Sequence, residues 1–235
     1  PNKHQTEPNK VRNKLLLFSL LLALSACRRE EDPALSDLGY SYFPLEVGKY
    51  VIYSVTEIDV DAPISRFDTT RYQIKEKLES VFTDNAGQPC IRVERYRRPT
   101  PANPWVINDV WYFYRNERNA QKVEENERFI RLSFPINYDA RWNGNAFLPA
   151  DEWIYRYENI GVSYSNPYQT FSKTVEVNQR FRYNFVEYEN CREIYADGIG
   201  MVYKQYIVTT INNGDSTSIN RGKLLHQYAI DYGLE

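Results

Sequence analysis

Alternation of apolar with polar residues is the sequence feature that most restricts the fold of this chain. Tyr72, Ile74, Leu78 and Phe82 occupy even positions, and the neighbouring odd positions carry Arg71, Gln73, Lys75 and Lys77. A period of two places successive side chains on opposite faces of a β-strand, so this segment predicts a strand with one buried face. No long segment of the chain shows a convincing helical period of 3.6 residues.

The same pattern recurs along the chain and predicts about ten strands. They cover residues 49–60, 72–82, 90–98, 105–115, 120–134 (one strand or two), 152–157, 175–188, 191–195, 201–211 and 218–230. Turn residues separate several of them, as at 84–87 and 212–215. Successive strands joined by turns favour antiparallel pairing. We therefore predict an all-β fold with a single antiparallel sheet curled into a barrel or half-barrel, and a β-sandwich is the alternative.

The first 26 residues have the parts of a secretory signal. Lys10, Arg12 and Lys14 precede an apolar run of about a dozen residues, and small residues lead to Cys27. The sequence LSAC at 24–27 resembles the lipobox of bacterial lipoproteins, whose cysteine is lipidated and becomes the mature N-terminus. An ordinary cleaved signal and a retained membrane span are the alternatives, although a span needs about 20 apolar residues.

The predicted organisation is a signal peptide at 1–26, a lipidated Cys27 with its tether at 27–39, and a β domain at 40–235. After Cys27 the chain reads RREED, which resembles the acidic export signal of surface-displayed lipoproteins of Bacteroidota. A simple solvated tether is the alternative. We expect the lipid to hold the protein at the outer membrane, on its periplasmic or its exposed face.

Charge and composition exclude some classes of partner. Without the signal, 25 basic and 30 acidic residues remain, a formal charge of −5. This mild acidity argues against nucleic acid, which would require a basic surface. The high content of tyrosine suits a sheet that is wet on one side. Arg95, Arg97 and Arg98 beside Pro99 are interpreted as a solvated sheet edge.

Two cysteines, Cys90 and Cys191, remain beyond the lipidation site. An oxidising compartment would permit a disulfide between them. The alternative is a pair of buried thiols that never meet.

Metal, nucleotide and serine-hydrolase chemistry have little support. His226 is the one histidine outside the signal, and no cysteine pair has metal-ligand spacing. Gly-rich phosphate loops and the G-x-S-x-G motif are absent from the sequence. We predict no catalytic residue, no metal and no cofactor. Carboxylates close in sequence leave a glycosidase as a remote alternative: Asp59 with Asp61, Glu124 with Glu125 and Glu127, and Asp151 with Glu152.

Aromatic residues are the candidates for ligand binding. Trp105, Trp111, Tyr112 and Tyr114 lie on one predicted strand, and Trp142 and Trp153 lie in the looser region 135–166. Exposed and coplanar rings would stack on a sugar or a lipid, whereas buried rings would form part of the core.

Three segments together resemble a family of uncharacterised lipoproteins from Bacteroidota. They are YFPLEVGKYVIY at 42–53, FP through WNGN at 134–145, and EIYADGIGMVYK at 193–204. The resemblance implies an envelope location and a lipoprotein class, and it implies no chemistry. Taken as residues, Pro44 and Gly48 indicate a turn into a strand, and Gly198 and Gly200 indicate a tight bend or bulge with positive φ.

These observations predict a lipid-anchored, non-enzymatic envelope protein. One hypothesis is a binding module that holds a small apolar or glycan ligand in its curled sheet. The other is a scaffold or interaction subunit of an outer-membrane complex. A lined cavity would favour the first, and a filled core with an exposed apolar patch would favour the second.

Overall fold

A computed structural model describes residues 38–235, so the predicted signal, Cys27 and most of the tether lie outside the described residues. The twelve strands in this range are β1 (Lys49–Asp61), β2 (Arg66–Thr83), β3 (Pro89–Arg98), β4 (Val106–Arg115), β5 (Asn119–Glu124), β6 (Glu127–Ser133), β7 (Arg141–Asn143), β8 (Ile154–Ser165), β9 (Thr170–Tyr183), β10 (Glu187–Ala196), β11 (Gly200–Asn212) and β12 (Asp215–Leu234). Short 3-10 turns lie at Tyr40–Tyr42 and Ala62–Ile64. Nowhere in residues 38–235 is there a helix of the length and apolar character that a bilayer span requires.

All twelve strands form one antiparallel sheet, which confirms the predicted fold class. Each strand pairs with the next in the chain except at β6 and β7, and β12 pairs with β1. The sheet is therefore a barrel that is nearly closed, with its gap between β6 and β7. Hydrogen bonds span that gap: Ile130 N–H donates to Gly144 O (2.9 Å), and Trp142 Nε1–H donates to Ile130 O (3.0 Å).

The segment 38–48 covers one end of the barrel, here called the closed end. Phe43 is buried there, and the Arg115 guanidinium donates to the carbonyls of Tyr40 (2.8 Å) and Phe43 (2.9 Å). Gly198 N–H, in the turn between β10 and β11, donates to Ser41 O (2.9 Å). Since the strands alternate in direction, the turns before β2, β4, β6, β8, β10 and β12 lie at the opposite end, here called the open end.

Alternation along the strands builds the core. Val51, Tyr53 and Val55 on β1 are buried, as are Ile74 and Leu78 on the neighbouring β2. These residues point to the concave side of the sheet, here called the lumen, while the alternate residues Ser54, Lys75 and Lys77 face outward. Burial of a large apolar side chain stabilises the fold by about 1.5–3 kcal/mol.

Glycines allow two of the three family-like segments, 134–145 and 193–204, to follow the path of the barrel. A Cβ on Gly144 would lie 2.2 Å from Cζ of the buried Tyr155, so the WNGN segment passes over that ring only without a side chain. Gly198 and Gly200 have φ values of 72° and 103°, which confirms the predicted bend between β10 and β11.

The strand predictions are largely confirmed, with three corrections. The predicted strand 175–188 spans a turn, because β9 ends at Tyr183 and β10 begins at Glu187. Asn184 makes this turn, since its Oδ1 accepts from the N–H groups of Val186 and Glu187. Sequence reasoning also missed the three-residue β7 and the second half of β8, where Asn159 and Gly161 have positive φ and interrupt the pattern.

Of the two alternatives for Cys90 and Cys191, the structure has the buried free thiols and no disulfide between them. Cys90 lies on β3 and Cys191 on β10, and four strands separate these two in the sheet. Burial raises the pKa of the Cys191 thiol to about 12, so it remains protonated.

We expect Trp142→Ala to destabilise the barrel by about 3–5 kcal/mol, because it removes a buried indole and one of the bonds across the gap. Trp105→Ala is the matched control. Its half-buried ring packs under the Arg98 guanidinium outside the lumen, and its removal should cost about 1 kcal/mol or less. Guanidinium unfolding followed by circular dichroism measures both. Equal losses of stability in the two variants would show that closure of the gap does not depend on Trp142.

Candidate functional site

Eight charged side chains in the lumen form one continuous series of ion pairs, here called the ion chain. In order they are Asp109, Arg95, Glu76, Lys122, Glu124, Arg131, Glu193 and Lys204. Acids and bases alternate, with N···O distances from 2.9 to 3.7 Å. Arg131 on β6 contacts Glu193 on β10, two strands that are not neighbours in the sheet, so the ion chain crosses the lumen.

The ion chain keeps two of its carboxylates, Glu124 and Glu193, ionised. Burial raises the pKa of Glu124, but the charges of Lys122 and Arg131 outweigh it and hold that pKa well below the ordinary value. Arg131 and Lys204 likewise outweigh the effect of burial on Glu193 and lower its pKa. The Tyr195 hydroxyl donates to Glu193 (2.6 Å), and burial raises the pKa of Tyr195 well above its ordinary value, so the phenol remains a donor.

Aromatic rings pack against the cations of the ion chain. The Arg95 guanidinium lies 3.6 Å from the centroid of the Trp111 ring, and the Lys122 ammonium lies 4.4 Å from the same ring. On β6 the Arg131 guanidinium lies 4.5 Å from the Phe129 ring. These contacts replace part of the water that the cations lose on burial.

Near the closed end the lumen is almost filled. A cavity of about 40 Å³ remains between segment 38–48 and the ion chain, bordered by Phe43, Tyr53, Glu76, Lys122 and Glu193. A water molecule needs about 10–15 Å³ measured in this way. The cavity therefore has room for two or three waters and none for a sugar or an acyl chain.

Toward the open end the lumen widens into a recess of about 270 Å³. Its walls are the aromatic side chains Phe129, Trp153, Tyr155 and Tyr206 and the polar or charged side chains Glu124, Arg131, Asn145, Gln179 and Lys204. The rings of Trp153 and Tyr206 are nearly parallel, at 15°, with centroids 6.5 Å apart. The Arg180 guanidinium lies 4.9 Å from the Trp153 ring.

Two buried donors in the walls of the recess lack hydrogen-bond partners among the described residues. They are Nε2 of Gln179 and Nε of Arg131, on side chains that are 4% and 5% exposed. An unpaired buried donor costs about 1–3 kcal/mol. Each atom is itself covered, so a ligand that supplies acceptor oxygens would satisfy it once its side chain turns toward the recess.

The six aromatic ligand candidates do not form one site. Trp153 borders the recess and Trp111 lies in the lumen against the ion chain. Trp142 is buried at the gap between β6 and β7. The others pack or bond away from the recess: Trp105 against Arg98, Tyr112 against Phe82, and Tyr114 through its hydroxyl to Gln88.

Residues that the sequence analysis considered for metal binding or catalysis have structural partners. His226 Nδ1 lies 3.1 Å from the Tyr203 hydroxyl. Asp61 pairs with Arg221 at 2.9 Å, and Glu125 accepts from Trp111 Nε1–H at 3.1 Å. Across residues 38–235, no group of three or more His, Cys, Asp and Glu side chains is placed to hold a metal ion.

Sequence reasoning missed the ion chain, and its interpretation of Arg95 is wrong. Strand β3 lies between β2 and β4, so it is not an edge, and Arg95 is bound to Glu76 in the lumen. The missed signal is a charge at a position that the alternation assigns to the buried face. Glu76 lies between Ile74 and Leu78, and Arg95 follows Val93, all on the lumen side.

We expect Glu193→Gln to destabilise the protein by about 3–5 kcal/mol, because Lys204 loses its one carboxylate partner and Arg131 loses one of two. Glu152→Gln, at an exposed position before β8, is the matched control and should change stability by about 0.5 kcal/mol or less. Denaturant unfolding measures the difference. Near-equal midpoints would mean that the ion chain contributes no more than surface charges do.

The ion chain also predicts acid lability. Because the pKa values of Glu124 and Glu193 are lower in the folded state than the ordinary 4.5, the unfolded chain binds protons at higher pH. Their contribution is complete above about pH 4.5 and is lost as the pH falls below it. Thermal unfolding midpoints measured from about pH 6 to about pH 3 should drop accordingly, and Glu193→Gln should show a shallower drop. A midpoint independent of pH over this interval contradicts the prediction.

Comparison with known proteins gives two structural likenesses. No protein-family model matches the chain, and no curated protein matches it in sequence. A Bacteroides fragilis protein described as exported, with a YmcC-like fold, is 8% identical over 81% of this chain and 98% of its own, with a TM-score of 0.41. A Parabacteroides distasonis protein described as a lipoprotein is 11% identical over 82% of this chain and 98% of its own, with a TM-score of 0.37. At these scores the likeness carries nothing about chemistry, so function is inferred from this chain's own residues.

Proposed function

We propose that this chain is a lipid-anchored, non-enzymatic envelope protein that binds a small glycan in the recess at the open end of its barrel. The observation that carries the proposal is the recess itself, where aromatic walls and unpaired buried donors line one concave surface. Sugar rings offer apolar faces to aromatic side chains and hydroxyl oxygens to donors. A few polar groups among apolar walls are typical of small-molecule sites.

The charges of the lumen favour a glycan over an apolar ligand. Glu124, Arg131 and Lys204 border the recess, and an acyl chain placed there would remove water from them without supplying hydrogen bonds. Desolvation of charged groups without compensation is costly. The cavity near the closed end, at about 40 Å³, is too small for an acyl chain.

The position of the closed end agrees with a lipid anchor. The described part of the chain begins at Leu38, whose carbonyl accepts from Ile136 N–H at that end. Lipidation of Cys27 and attachment at the outer membrane, as the sequence predicts, would add the tether to a segment that enters the barrel on the side away from the recess. Multiple acyl chains would make the attachment stable.

The electrostatics support a binding role over the glycosidase alternative. A glycosidase acid must hold a proton near neutral pH, which requires a raised pKa. Glu124 and Glu193, the buried carboxylates nearest the recess, have lowered pKa values instead. Neither could serve as that acid.

A scaffold role is the second candidate, and exposed apolar residues at the open end favour it. Turns and strand ends there carry Ile64, Phe67, Val106, Phe147, Phe181, Phe185 and Val186, all more than half exposed. Apolar side chains gathered at one end of a molecule are typical of protein contacts. In this role the recess would remain unused.

Binding of the full-length protein to an array of immobilised glycans tests the proposal. We expect at least one class of glycan to bind, and Trp153→Ala to weaken that binding about tenfold or more, since aromatic anchors dominate such sites. Trp105→Ala should bind as the unchanged protein does, because its ring lies outside the lumen. An array without any bound glycan, together with native mass spectrometry showing no retained small molecule, would overturn the proposal in favour of the scaffold role.

A further inference from the structure

The ion chain ends at the recess on a cation that has fewer partners than the others. Arg95, Lys122 and Arg131 each contact two carboxylates. Within residues 38–235, Lys204 has one ion pair, with Glu193 at 3.7 Å, and its side chain is 22% exposed and borders the recess. The alternation of acid and base therefore stops one anion short at this point.

The other groups facing the recess do not supply that anion. Glu124 already contacts Lys122 (3.3 Å) and Arg131 (2.9 Å). Asn145 donates through Nδ2 to Asp151 O, at 3.0 Å. Arg180, beside the recess, is paired with Glu189.

Three donors remain for a ligand: Lys204 Nζ, Gln179 Nε2 and Arg131 Nε. The last two lack a hydrogen-bond partner within residues 38–235. The ion chain as a whole has four acids and four bases, and the group that ends it at the recess is the cation Lys204. A ligand that fits these groups supplies acceptor oxygens and one negative charge.

We propose that the glycan bound in the recess carries a carboxylate, and that Lys204 and Gln179 hold this group while Trp153 and Tyr206 contact the sugar ring. The inference rests on the proposed function and narrows it to acidic sugars. A carboxylate at Lys204 would be the ninth charged group in the series and would continue its alternation. Charge-assisted hydrogen bonds of this kind are about twice as strong as neutral ones.

Isothermal titration of the full-length protein with D-glucuronate and D-glucose tests the inference, since the two sugars differ in one carboxylate. We expect glucuronate to bind about tenfold or more tightly than glucose, with an affinity that falls as salt is added. Lys204→Gln should bring the two affinities to within about twofold, and Lys204→Arg should keep the preference. Lys77→Gln is the matched control, because Lys77 pairs with Glu235 at 3.1 Å and neither residue borders the recess. It should keep the full preference.

Each other outcome has a defined meaning. Glucose bound as tightly as glucuronate, or neutral glycans alone bound on the array, would overturn the inference and leave the proposed function standing. Acetate bound as tightly as glucuronate would overturn the sugar part, because the carboxylate alone would then suffice. If Lys204→Gln fails to fold, Gln179→Leu replaces it, and unchanged preference in that variant would also overturn the inference. Absence of binding by every sugar and every arrayed glycan would overturn both proposals.

Discussion

The contact between Arg131 and Glu193 is the interaction on which the arrangement of this barrel depends. It joins β6, at the gap, to β10 on the far side of the lumen. Buried charges are tolerated only where opposite charges and hydrogen bonds replace the lost water. Arg131 satisfies this through two carboxylates, and Glu193 through Arg131, Lys204 and Tyr195. The curvature of the sheet brings these groups together, and they in turn fix which strands face one another.

Sequence patterns predict the strands well because most of their information is local. The alternation assigns inner and outer faces for β2 and β3, and short turns such as 84–87 set antiparallel pairing. The strand predictions fail where contacts between distant segments determine the backbone conformation. The three residues of β7 show no pattern of their own, and they are held by pairing with β8 on one side and by the bonds of Trp142 and Gly144 to Ile130 on the other. In β8, positive φ at Asn159 and Gly161 interrupts the period of two.

The recess could not be predicted from the six aromatic candidates, because proximity in sequence does not set their direction. Trp111 and Tyr112 are adjacent and face opposite sides of β4, one toward the ion chain and the other toward Arg128 outside it. Charges at buried positions carry the better signal. Glu76, Arg95 and Glu193 each interrupt an apolar face, and a charge that remains on such a face needs a partner across the lumen. The pairing itself depends on the closure of the sheet.

Lys204 belongs both to the ion chain and to the recess, so folding and binding share a group at this point. Because Lys204 is the last group of the ion chain, its effect on binding can be measured separately from its effect on folding. Arg131 has carboxylates on both sides, and its loss would leave Glu124 and Glu193 with fewer cations in a buried setting. Loss of the Lys204 charge affects one contact at 3.7 Å beside solvent. A bound anion would also stabilise the folded state in proportion to its occupancy. Binding at the open end would therefore reinforce the same ion pairs that hold β6 against β10.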